Sequence, residues 1–265
     1  MNALVLYCKM IRHSIRGQLQ YRANFILFAI GNALSALIEY AGVWALFDRF
    51  GSLGRWHFYE VGVFFGVSQI AFAISEAVPR EFDLFSRHVR TGEFDRILLR
   101  PRSTVLQMLG ADLQIMRLGR FVSGATILAV SLSALDIVKT WHAGHYILLF
   151  ASILGGAFLY SGIIIVQAAS CFWTVESIEV WNCITYGGNT ALQYPLDVYR
   201  RPIRLFFTAV VPLAAISYWP CSYLLGIGYV SKWMSFVSPL FGVVVLIASL
   251  FLWRFGVSRY RSTGS

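Results

Sequence analysis

Six long runs of apolar residues divide the chain, and the polar residues gather between them. The runs cover roughly 25–47, 58–78, 119–137, 146–174, 205–227 and 236–253. Each is near the ~20 residues that an α-helix needs to cross a ~30 Å hydrocarbon layer. The pattern predicts an all-α integral membrane protein with six transmembrane helices. The first run begins only after residue 24 and is too long for the apolar centre of a secretory signal, so it is expected to remain as a helix. Residues 1–24 follow another rule: on a helical wheel Leu4, Tyr7, Cys8, Ile11, Ile15 and Leu19 share one face and Lys9, Arg12, His13 and Arg16 the other. This predicts an N-terminal amphipathic interfacial helix on the inner leaflet, its cations near anionic lipid headgroups. A helix packed on the protein's own polar face is the alternative. The chain thus divides into residues 1–24 and a six-span domain, 25–265, with a polar loop at 79–102.

Composition agrees with a bilayer as solvent. The 265 residues are 57% hydrophobic and 13% charged, too few charges to solvate a globule of this size. The formal charge of +9 would suggest nucleic acid in a soluble protein, but cytoplasmic loops of membrane proteins collect Lys and Arg. With both termini on one side, 18 of the 22 basic residues fall there, and only Arg49, Arg55, Lys139 and Lys232 fall opposite. The N- and C-termini are therefore expected in the cytoplasm, and no nucleic acid is needed. Cys8, Cys171, Cys183 and Cys221 form no CxxC pair, so neither a disulfide framework nor a zinc site is read. His142 and His145 have no acid or cysteine beside them, and no metal is assigned.

The densest polar stretch is 79–102, PREFDLFSRHVRTGEFDRILLRPR. Phe82, Phe85 and Val89 share a helical face, Gly92 interrupts, and Phe94, Ile97 and Leu98 resume helical spacing up to the breaker Pro101. Two short helices joined at a glycine are predicted. Such an element suits docking in a groove of a soluble partner, with aromatics as anchors and charges fixing register. A charged loop folded against the membrane fits the same residues.

The run from Gly92 to Pro101 reads G-x-F-D-x-x-L-x-R-P. It resembles the signature of a branch of ABC-2 permeases found in drug and viologen exporters, where it lies in the cytoplasmic loop after the second span. Residues 107–120, ending in RLGR, and the tail 259–265 are similar too, so the resemblance covers essentially the whole chain. It implies the membrane-spanning permease subunit of a bacterial ABC exporter in the inner membrane. Such a subunit is paired with a second, non-identical permease and with two copies of an ABC ATPase that carry the ATP and Mg²⁺. It also implies that Phe82, Phe85, Gly92, Phe94, Asp95, Leu98, Leu99, Arg100 and Pro101 form the coupling helix, with Phe94 and Leu98 on its docking face. Re-entrant helices between spans five and six are a further family trait, and 219–235 is the matching region. The chain has no Gly-Lys dipeptide and hence no phosphate loop, so it is read as non-catalytic, with no cofactor of its own and ATP hydrolysis supplied in trans.

Inside the membrane, Glu39 lies some eight residues from the outer end of span one. At that depth an acid costs about 2.5 to 3.5 kcal/mol unless paired, protonated or wetted. It is a candidate recognition group for a cationic substrate, with Tyr40 and Trp44 contributing cation–π contact; snorkelling to the outer interface is the alternative. Glu176 and Glu179 are expected to pair with Arg200 or Arg201. Gly62 and Gly66 form a GxxxG that admits a close helix neighbour, within the subunit or across a dimer. Pro212 and Pro220 break the hydrogen-bond ladder of span five. The function expected is export of hydrophobic or cationic amphiphilic compounds. An ion-driven secondary transporter is the alternative, although internal repeats are not seen. A membrane enzyme would need a convergent catalytic set, and no HExxH or GxSxG occurs.

Overall fold

The structure, a computed structural model, describes residues 3–174, 178–227 and 230–260. Every regular element among them is helical. Helix α1 (Ala3–Gln20) leads into α2 (Arg22–Phe50), and α3 (Phe58–Ala77) returns beside it. Four short helices follow at that end: α4 (Arg80–Asp83), α5 (Phe85–Arg90), α6 (Glu93–Leu98) and α7 (Thr104–Ala111). Helices α8 (Leu118–Ala134) and α9 (Ala143–Ser170) make the next two passages. They are followed by α10 (Ile178–Leu192), α11 (Arg201–Leu205), α12 (Tyr218–Leu224) and α13 (Lys232–Arg259).

Five helices have the length and apolar character of a membrane crossing: α2, α3, α8 with the 3₁₀ turn before it, α9 and α13. They match the first, second, third, fourth and sixth apolar runs. The fifth run differs. Between α11 and α12 the chain passes through one π-helical turn (Phe206–Val210) and a 3₁₀ turn (Leu213–Ala215), and the two halves are bent by 81°. Pro212 stands at the break, where its missing N–H and fixed φ end the helix. Pro220 sits in the first turn of α12 and is accommodated there. Both arms reach the same end of the bundle. Next to the first arm, Asp197 bonds Arg55 and Trp56 of the α2–α3 loop, and at the end of the second the Trp141 indole N–H donates to Leu224 O at 3.1 Å. The tip, Leu213–Ile216, is buried in mid-bundle with Leu159 and Tyr160. The segment is a re-entrant hairpin: the chain breaks at Pro212 as the sequence indicates, but 205–227 does not cross as the fifth span, and the re-entrant chain lies at 201–224 rather than at 219–235.

The sixth passage is α10, which no apolar run announced. Midway along it Tyr186 lines a small cavity with Glu76, Arg80 and Asp83, and beyond its end Asp197, in a 3₁₀ turn at Leu196–Val198, meets Arg55. The second half of α10 and the stretch after it together cover the length of the bundle. Arg200, Arg201 and Arg204 consequently sit at the end opposite to 79–102, which changes the basic count from 18 and 4 to 15 and 7. The proposed partners Glu176 and the Glu179 side chain lie outside the described residues, as does the tail 261–265.

Close helix approach shapes the bundle. A Cβ on Gly62 would lie 2.1 Å from Ser131 Oγ, and one on Gly66 2.6 Å from Leu128 Cβ, so the GxxxG of α3 packs on α8 within the chain. Gly155 of α9 and Gly242 of α13 meet backbone to backbone, and Pro239 lies in the same crossing. Pro239 cannot donate to Ser235 O, and the Ser238 hydroxyl takes that carbonyl instead at 2.7 Å.

Helix α1 docks on the chain's own α7 region. Ser14 donates to Asp112, Leu113 N donates to Ser14 Oγ, and Ile115 N donates to Gln18 Oε1. The contact stripe Met10, Ser14 and Gln18 lies beside the apolar face drawn from the sequence, and Val5 and Leu19 remain exposed.

Candidate functional site

The loop 79–102 folds around an aromatic core. Phe82, Phe85 and Phe94 are fully buried. Phe82 and Phe85 each stand 4.7 Å, edge to face, from Trp253 of α13, and Phe85 lies 4.9 Å from Phe94. Phe94 also meets Phe172 and Tyr260, at 5.7 and 5.0 Å. Such T-shaped pairs add about 0.5 to 1.5 kcal/mol each beyond area burial. Gly92 has φ +70°, the left-handed region that a side chain disfavours, and starts α6. Three short helices form where two were predicted, because the chain also breaks at Leu84; Phe82, Phe85 and Val89 share a face as predicted, but Leu98 parts from Phe94 and turns outward, and the direction of the aromatic face is reversed. Phe82, Phe85 and Phe94 turn inward and fasten the element to α9 and α13, so Phe94 is not on an outer docking face. What faces outward is Leu98, Arg100, Pro101 and above all Leu99, which is 84% exposed. Asp95 is half-buried beside Tyr260, whose hydroxyl pKa is raised by burial and then by that carboxylate.

Polar ties fix the three helices to one another. The buried His88 ring lies 2.5 Å from Glu81 of α4 and 2.8 Å from Glu93 of α6. The hydrogen bond to Glu81 raises the His88 pKa most, with both carboxylates adding Coulombic support against a desolvation cost. Arg80 pairs with Asp83, which also accepts from Gln167 of α9 at 3.3 Å. Gln107 closes the C-terminal end by donating to Ile97 O and Arg102 O.

A polar seam rises from this element between α2, α3 and α10. At its foot the buried Glu76 carboxylate meets Arg120 at 3.0 Å and Arg117 at 3.4 Å, and Arg117 donates to Asn32 of α2. Half-way along, Ser68 donates to Asn189 at 3.0 Å, with Tyr160 beside them. Higher, Glu39 Oε2 accepts from Gln69 at 2.8 Å and from Gln193 at 2.9 Å. Glu39 is exposed on the flank of the protomer and has no ion pair among the described residues. Two amide donors hold its orientation without neutralising it. Tyr40 and Trp44 do not join it: Tyr40 packs on Phe58 and Phe65, and Trp44 faces outward. Sequence reasoning missed Glu76, Gln69, Asn189 and Gln193. An acid at the end of span two and two arginines at the start of span three were visible as a possible pairing. The amides gave no signal, because the passage formed by α10 and the turn after it, which carries Asn189 and Gln193, was not foreseen.

At the opposite end Arg55 Nε donates to Asp197 Oδ2 at 2.9 Å and the Trp56 indole to Oδ1 at 2.9 Å, joining the α2–α3 loop to the turn that leads into the hairpin.

Comparison with known proteins adds the family. Neither a curated protein nor a solved structure matches the chain. Residues 33–264, from the first passage through the polar loop, seam and hairpin to the C-terminal tail, match the family described as ABC-2 family transporter protein. The chain is a multi-pass membrane protein of the ABC-2 transporter family.

Proposed function

We propose that this chain is the permease subunit of an ABC exporter of the drug and viologen branch, forming half of a pathway for hydrophobic or cationic amphiphilic compounds. A separate ABC ATPase, present in two copies, hydrolyses ATP, and a second, non-identical permease completes the pathway. The chain sits in the bacterial inner membrane with both termini cytoplasmic. The observation that carries this reading is the element 79–102. It is a polar surface keyed by an aromatic core to α9 and α13, so a push on it passes to two long helices as a rigid-body movement. The family match supports it, as does the absence of a phosphate loop. Leu98, Leu99, Arg100 and Pro101 supply the contact with the ATPase; Phe82, Phe85 and Phe94 hold its shape. The basic count still favours the end with 79–102 as cytoplasmic.

The pathway runs along the seam of α2, α3 and α10, where Glu39 offers an uncompensated negative charge to a cationic substrate. Reconstitution with the co-purified ATPase tests both parts. ATP-dependent uptake into inside-out vesicles is expected for a lipophilic cation, and Glu39→Gln should depress it about tenfold while sparing a neutral compound of similar size, the loss expected for one charge-assisted contact. Transport by this chain alone under an ion gradient, without ATP, would refute the exporter reading. Equal loss for neutral and cationic compounds would remove Glu39 from recognition.

A further inference from the structure

At the end opposite to 79–102 the re-entrant hairpin and the start of α13 enclose a cleft of about 390 Å³, whose lining includes Arg55, Asp197, Arg204, Tyr218, Trp219 and Met234. That volume lies within the usual range of small-ligand sites, roughly 300–1,000 Å³. Its charges do not balance. Asp197 is spent on Arg55 and Trp56, while Arg200, Arg201, Arg204 and Lys232 are exposed and have no ion pair among the described residues. The cations stand beside apolar surface, for Leu205, Val210 and Trp233 are 51%, 69% and 82% exposed. A cluster of unpaired arginines on a lipid-facing hairpin is costly unless anions meet it. Tyr218 is hydrogen-bonded to Arg55 and lines the cleft together with Arg204, and its hydroxyl can donate as well as accept.

We propose that this cleft seats the headgroup of an anionic phospholipid. Arg204 and the Tyr218 hydroxyl donate to the phosphate, while Arg55, held by Asp197, forms the rim. The acyl chains lie along Leu205 and Val210. The guanidinium fork matches two phosphate oxygens at once, and its weak hydration suits a half-buried position. The site is separate from Glu39 and from the ATPase contact, and it requires only that this end of the bundle meet a membrane surface.

Purified full-length protein in a neutral detergent is titrated with phosphatidylglycerol, with phosphatidylcholine and with inorganic phosphate. Bound lipid is counted by native mass spectrometry and affinity is read from tryptophan fluorescence. Saturable binding of phosphatidylglycerol is expected. Arg204→Ala should weaken it about tenfold and Tyr218→Phe several-fold, from the loss of one charge-assisted and one neutral hydrogen bond. Lys139→Ala, an exposed cation of the same end paired with Asp136, should leave it unchanged. Wild-type affinity in both cleft variants, equal binding of phosphatidylcholine or of inorganic phosphate, or an equal loss on Lys139→Ala would each overturn the assignment.

Discussion

Replacing Phe94 by alanine removes a ring enclosed by Phe85, Phe172, Trp253 and Tyr260 at 4.9, 5.7, 6.0 and 5.0 Å. Truncating a fully buried Phe costs about 3–5 kcal/mol. Helices α4, α5 and α6 are 4, 6 and 6 residues long, far below the ~12–15 residues at which a helix begins to hold alone. The loss therefore falls on the local stability of 79–102 rather than on the spans. Converted at 1.4 kcal/mol per tenfold, it should speed amide exchange in 82–98 by roughly 10² to 4 × 10³. Leu99→Asp acts on the other side of the element. That side chain is 84% exposed, so the change in stability should stay within about 0.5 kcal/mol, while an apolar contact with the ATPase is lost. Hydrogen exchange of 79–102 and co-purification with the ATPase separate the two effects. Leu99→Asp should keep wild-type exchange and weaken association about tenfold, a typical hot-spot loss. Wild-type association and ATPase stimulation in Leu99→Asp would refute this reasoning, and so would lost association in Phe94→Ala without faster exchange. Either result would mean that the aromatic side, not the exposed strip, meets the partner.

Glu76→Gln should leave Arg117 and Arg120 facing each other without their shared acid. The cost is about 3–5 kcal/mol, read as a lower thermal midpoint in detergent and partly recovered in the double variant with Arg120→Gln. Gly66→Ala should cost about 1–3 kcal/mol by overpacking, because the new Cβ would sit 2.6 Å from Leu128 Cβ and 3.0 Å from Gly124 O; a midpoint equal to wild type would show that α8 yields freely. The His88 tie is pH-dependent. Its folded pKa is raised, so its contribution is complete below the unfolded pKa of about 6.5 and fades as pH rises through the folded value. Proteolysis of 79–98 should accelerate over that alkaline step in the wild type and show no such step in His88→Gln.

Five of the six passages were legible because α2, α3, α8, α9 and α13 carry unbroken apolar runs, and a bilayer demands such runs wherever lipid is the neighbour. Helix α10 was not, for a reason that belongs to its packing. Thr185 and Asn189, with Gln193 just beyond its end, are buried against the protein, where Ser68 and Glu39 meet the amides, so its polarity is compatible with membrane depth although it resembles a loop in sequence. The stretch 205–227 misled in the opposite sense. It is apolar because its tip is buried among α3, α9 and α10, and length alone cannot tell a crossing from a hairpin that enters and leaves by the same side. The loop 79–102 shows a third limit: the spacing of Phe82, Phe85 and Phe94 defines which residues share a face, but the choice between inward and outward depends on Trp253 and Phe172, distant in sequence. The depth of Glu39 could be read from the first apolar run; its two amide partners could not.

The way α10 ends reaches beyond the fold. From Tyr186 onward the passage is completed by the last two turns of the helix and then by a stretch that leaves the helical ladder, with its 3₁₀ turn at Leu196–Val198. Backbone that does so at membrane depth must be covered by protein, and the buried hairpin tip supplies that cover: Leu192 and Leu196 pack with Leu213–Ile216, and Ser217 Oγ donates to Leu192 O. The hairpin and this passage therefore stand or fall together, and a change that loosens the tip uncovers the carbonyls beside Gln193, which holds Glu39.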